Sequence, residues 1–139
     1  NDVDLAQVQV EAGSTYTPFE YKTFGQELSD CQRYYQKSYN TDVAPGTSTD
    51  PGSFSGLAIY SSGSQGLGTR WITSMRTAPS VILYSTDGAS GYVKRTDNNV
   101  NVAATAASIG DNGHQYVSGS LPTGDNTGWR YHWACDAEL

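Results

Sequence analysis

Long apolar runs are missing from this chain of 139 residues, and none approaches the roughly 20 residues that span a bilayer as a helix. Basic residues are few: eight Lys and Arg stand against 14 Asp and Glu, a net charge of −6. Nucleic-acid binding relies on Lys and Arg to neutralise phosphates, and attraction to anionic membranes relies on the same charges. With no basic run, the sequence points away from both nucleic acid and membrane insertion. Only 16% of residues are charged, so the surface helix formers Glu, Lys and Arg are scarce and a helical protein is disfavoured. Two cysteines, Cys31 and Cys135, are too few for a disulfide framework. They read as two buried thiols, although a bridge closing 104 positions would add about 4 kcal/mol. Neither has a CxxC partner or a local histidine, so no metal site is expected.

Catalytic signals are equally sparse. No GxSxG elbow marks one serine as a nucleophile. Neither GxxxxGK[ST] nor GxGxxG is present, so no nucleotide or other cofactor is expected. Glycoside hydrolysis needs two carboxyl groups flanking the bond, and no acid pair sits on an apolar strand. Asp97-Asn98-Asn99 and Asp111-Asn112-Gly113 offer oxygens, but neither has EF-hand spacing; both read as turns. Of the two histidines, His114 adjoins the second turn and His132 lies within a strand, in hydrogen-bonding or interface duty. These readings favour a protein that is not an enzyme.

What the chain does have is glycine (15 residues), Ser, Thr and Asn in plenty, and 10 tyrosines. Short β-branched and aromatic segments recur between Gly-rich turns, which predicts an all-β fold. Val3 to Val10 reads as a strand without a hairpin partner, and residues 1–22 as an arm or the end of a preceding module. The chain opens Asn1-Asp2-Val3 in mid-pattern, without an initiator Met or signal peptide, and so reads as a piece of something longer. Residues 23–139 form the module proper. Thr23 followed three residues later by Gln26 is a capping box, predicting one short helix over Gln26–Cys31. Arg33 to Tyr39 alternates like a strand. Asn40 to Ser53 reads as a long exposed loop.

Further strands are predicted at Phe54–Tyr60, Leu67–Met75, Ser80–Tyr84, Tyr92–Arg95, Val100–Ala106, His114–Ser118 and Trp129–Cys135. Within Leu67–Met75, Trp71 and Met75 share one face and Ile72 takes the other. Ser80–Tyr84 reads as a buried strand. In the last strand Trp129, Tyr131, Trp133 and Cys135 face one way and Arg130, His132 and Ala134 the other. One face is therefore core, and the other solvent or an interface. Eight or so short strands at this spacing suggest a sandwich or barrel. Tyr34, Tyr35, Tyr60, Tyr84 and Tyr131 read as half-buried strand residues. Tyr92 and Tyr116, each near a Gly-rich turn, are candidate ligand-binding residues, because Tyr offers large contact area at little entropy cost. Asp97, Asn98, Asn112 and His114 in the adjoining turns complete the candidate set.

The segments Leu5 to Ser14 and Thr17-Pro18-Phe19-Glu20 resemble the closing strand of a jelly-roll module in bacteriophage tail-fibre and related phage structural proteins. In that family such a strand leads into segments similar to Phe24 to Leu28 and Cys31 to Tyr35, and then into a terminal module. Met75 to Val81 and the ending Ala134 to Leu139 are also similar to the family. Cys135 departs from the small residue expected there. The resemblance implies a jelly-roll-like β-sandwich acting as the distal adhesion module of a homotrimeric fibre or spike. It also implies a place on the outside of the virion, attachment to other virion proteins, and recognition of a host cell-surface glycan or protein. The trimer would use the strand face that a monomer leaves half apolar. It further implies assembly in a reducing cytoplasm, against a disulfide before release. A purely structural head fibre, decoration or trimerisation knob shares this composition. A glycan-degrading tailspike fragment would need a larger β-helix and a carboxylate pair.

Overall fold

The computed structural model describes residues 8–57, 64–65, 68–119 and 128–138. The chain is all-β with a single short helix. The helix α1 spans Phe24–Gln32 and starts two residues before the expected Gln26. Its start is set by the capping box. The Thr23 hydroxyl accepts from the Gln26 amide, and Gln26 Oε1 accepts from the Thr23 amide at 2.9 Å. None of its residues is buried. The chain is anchored just past the helix's C-terminal end: the Arg33 and Tyr34 carbonyls accept from the amides of Arg76 (2.9 Å) and Ala137 (2.8 Å).

Nine strands follow among the described residues: β1 Tyr35–Lys37, β2 Phe54–Leu57, β3 Ser64–Gln65, β4 Thr69–Arg70, β5 Ser80–Tyr84, β6 Tyr92–Arg95, β7 Asn101–Gly110, β8 Gly113–Gly119 and β9 Gly128–Asp136. All pairings are antiparallel and join one curled sheet. The jelly-roll-like sandwich expected from the sequence does not emerge from this pairing. β9 is the spine. Its first half pairs with β2 and β6, and its second half with β1 and β5. β7 then carries the sheet onward, pairing with β6 at one end and β8 at the other.

The core comprises Trp71, Met75, Leu83, Val93, Ala104, Val117, Trp129, Tyr131, Trp133, Cys135 and Ala137. The apolar face of β9 is buried as the alternation predicts. Most of its other face is not left to solvent or an interface either: His132 and Ala134 are buried, and of the three residues Arg130 stays exposed. The reason lies in residues 38–49, part of the segment expected to be an exposed loop, which fold across that face. The Tyr39 ring stacks on His132 at 4.0 Å and 14°. The His132 Nε2–H donates to the Thr49 carbonyl (2.9 Å), which leaves Nδ1 to accept from the Ser38 hydroxyl (3.0 Å). Ser38 Oγ in turn accepts from the Trp133 amide at 3.0 Å. Burial lowers the His132 pKa and favours this neutral ring. The covering segment meets the β5–β6 turn so closely that a Cβ on Gly88 would lie 2.2 Å from the Gly46 carbonyl, at φ +88°. Only glycine fits there.

Other expectations are revised. Residues 8–10 lie outside any strand and are exposed, so no strand reaches Val10; residues 1–7 of that segment lie outside the described residues. Of Leu67–Met75, Leu67 lies outside the described residues, and Thr69–Arg70 is the strand among the rest. Residues 71–75 bend because their backbone bonds go to other partners. The Asn112 and Asp111 carbonyls accept from the amides of Trp71 (3.1 Å) and Met75 (2.8 Å). The Gln36 side chain accepts from the Ile72 amide (2.8 Å) and donates to the Thr73 carbonyl (2.6 Å). The expected faces survive: Trp71 and Met75 are buried and Ile72 is 74% exposed. Ser80–Tyr84 is not buried throughout, since Ile82 is half exposed. Tyr60 and residues 120–127 lie outside the described residues.

The cysteines differ from expectation too. Both are free thiols, with Cys135 buried and Cys31 exposed on α1. Burial pushes the Cys135 thiol up to about 12, so it stays protonated. It donates to the Gln36 carbonyl at 3.4 Å.

Candidate functional site

A groove of about 620 Å³ opens where the β7–β8 hairpin meets β4. That volume suits a small ligand or one sugar unit of a chain. Thr69, Arg70, Ser108, Asp111, Asn112 and Gln115 supply its polar groups. Strand pairing positions them: Arg70 lies opposite Gly113 and Thr69 opposite His114. The turn is braced from behind. Ser74 Oγ donates to Asn112 Oδ1 at 2.7 Å, and Asn112 Nδ2 donates to Asp111 Oδ1 at 3.0 Å. Such a lining of hydroxyl, amide, carboxylate and guanidinium groups suits recognition of a hydroxyl-rich ligand by hydrogen bonding.

Ser108 sits in the left-handed region at φ +53°. His114 and Val117 are three apart and should point to opposite faces of β8. Both are nonetheless buried in one core, His114 against the Trp71 and Tyr131 rings. The register is the same on both sides of Ser108, with Ala107 opposite Tyr116 and Ile109 opposite His114. The faces therefore rotate at Ser108 rather than through an inserted residue, which turns His114 inward beneath the groove.

The six candidate residues do not form one site. Asn112 and His114 line the groove, Asn112 at its rim and His114 under its floor. Asp97 and Asn98 lie in the β6–β7 turn, at the opposite end of β7, about 30 Å away for a ten-residue strand. There Asp97 forms a fork with Arg95, whose side-chain hydrogen bonds lower its pKa. Asn98 Oδ1 accepts from the Val100 amide at 3.1 Å. Tyr92 and Tyr116 are strand residues rather than turn residues, opposite Ala103 and Ala107. Cross-strand partners share a face, and Ala103 and Ala107 share one side of β7. The two tyrosines therefore lie on the outer sheet face, flanking the exposed Thr105.

Sequence reasoning missed Arg70 and Gln115, which the groove brings beside Asn112. Their only signal was position, one in a two-residue strand and the other an exposed residue of β8. Among the described residues no three of His, Cys, Asp and Glu gather as a metal site, and no helix is long and apolar enough to cross a membrane. Comparison of the chain with family models, curated proteins and solved structures finds no match.

Proposed function

We propose that this chain is the distal adhesion module of a bacteriophage tail fibre or spike, on the outside of the virion. It works as a homotrimer and binds a host cell-surface glycan or protein, without catalysis. The observation that carries the reading is a large surface that the single chain leaves uncovered. The exposed large apolar residues concentrate in the arm and helix: Val10, Tyr16, Tyr21, Phe24 and Leu28. Neighbouring copies would cover them. The curled sheet then carries the polar groove on a rigid support, and three linked copies raise weak single-site binding by avidity.

The fluorescently labelled chain should be retained by cells of some strains in a bacterial panel. Arg70→Ala with Gln115→Ala should lower that retention severalfold at unchanged molar mass. Both side chains are exposed, so the fold should survive. Retention by no strain would favour the structural reading, a head fibre, decoration or trimerisation knob, for which the same uncovered arm would serve.

A further inference from the structure

Three of the chain's eight basic side chains, Lys94, Arg95 and Arg130, line one small cleft together with Asp50, Thr86, Thr96 and Asn99. The concentration is notable in a chain of net charge −6. Lys94 and Arg130 stand directly opposite each other on β6 and β9. Like charges in that position repel and destabilise a sheet. A carboxylate pairs closely with Lys94, but Arg130 is left incompletely paired. Lys94 contacts Asp87 at 2.6 Å, but Arg130 reaches only the largely exposed Asp50, at 4.0 Å, beyond hydrogen-bond length. The Arg130 side chain is half exposed, and Arg130 is among the residues that line the cleft.

The surroundings are fixed. Arg95 is forked to Asp97 and lies over the Trp129 ring at 5.8 Å. Asn99 holds a left-handed conformation, φ +57°, that puts it in the cleft lining. Thr96 packs against Gly128, where an added Cβ would meet its hydroxyl at 2.4 Å. The cleft offers about 120 Å³ and is partly open to solvent. That admits a carboxylate, phosphate or sulfate group.

We infer that this cleft binds an oxyanion group of an acidic surface glycan, held between Lys94 and Arg130 with Asn99 and Thr96 as neutral donors. The bound group would turn their repulsion into a bridge. Direct contact with charged donors gives short, strong hydrogen bonds, and Arg can grip an oxyanion with two. This rests on the adhesion reading and adds the chemical class of its ligand. The cleft lies at the opposite end of β7 from the groove, so one acidic glycan would need to span both sites or use them separately.

The test titrates the full chain with inorganic phosphate, sulfate, glucuronate and neutral glucose, following amide NMR shifts. Shifts at Lys94, Asn99 and Arg130 should saturate with at least one oxyanion and be absent with glucose. Arg130→Gln and Lys94→Gln should each weaken that binding about tenfold or more. Added salt should weaken the parent more than either variant, a readout that a merely structural role would not move. Equal affinity of parent and both variants, or equal shifts with glucose, would overturn the inference. Cell retention separates this failure from the other. Retention unchanged in Arg130→Gln would overturn the cleft and leave the adhesion reading standing. Oxyanion binding by a chain that no cell retains would support the cleft and count against adhesion.

Discussion

Trp133→Ala should cost about 3–5 kcal/mol of stability, the range for removing a buried Trp or Phe from a core. Trp133 is 5% exposed and its ring lies 5.0 Å from Trp71, in the strand that pairs with four others. The void would be walled by residues of that spine and by Trp71, which the Gly110 carbonyl fixes by accepting from its Nε1–H at 3.0 Å. Such walls cannot collapse freely, so the cost should fall in the upper part of the range. Since small domains hold only about 5–15 kcal/mol in total, the loss should be plain in urea unfolding followed by circular dichroism. A cost below about 1 kcal/mol, small for a buried aromatic, would mean that the Trp133 face of β9 is not core.

Gln36→Leu should cost about 2–4 kcal/mol, although it replaces a polar residue by an apolar one in a buried place. The Gln36 side chain is 3% exposed and makes three bonds. Its Nε2 donates to the Gln32 (2.9 Å) and Thr73 (2.6 Å) carbonyls, and its Oε1 accepts from the Ile72 amide (2.8 Å). Leucine fills the space but leaves the Ile72 amide and two carbonyls without it. Hydrogen exchange at Ile72 should quicken more than exchange along β5, because the 71–75 segment loses its tie to β1. A cost below about 0.5 kcal/mol, under the usual net value of even one such bond, would show that Gln36 is not the fastening.

Trp133 was legible in the sequence and Gln36 was not. The alternation Trp129-Tyr131-Trp133-Cys135 is a local pattern with period two, and it marked the core face of β9 directly. So did the Thr23–Gln26 capping box for α1 and the Asp111–Gly113 turn for the β7–β8 hairpin. Gln36 gave no signal, because two of its three partners lie 36 and 37 positions away. The same limit hid the cover over His132. Residues 38–49 carry Ser, Thr, Pro and Gly, the composition of a loop, and their contacts with β9 are made across more than 80 positions. The candidate site was half legible. Turn chemistry pointed to Asn112, but only strand pairing joins it to Arg70 and Gln115. The opposition of Lys94 and Arg130 exists only in the register of β6 on β9.

Light scattering of the full chain at micromolar concentration tests most directly whether the uncovered arm and helix are an assembly surface. A uniform species of three times the 14.9 kDa chain mass is expected, with Val10, Tyr16 and Phe24 shielded from solvent. A stable, folded species of 14.9 kDa with that surface still open would contradict it.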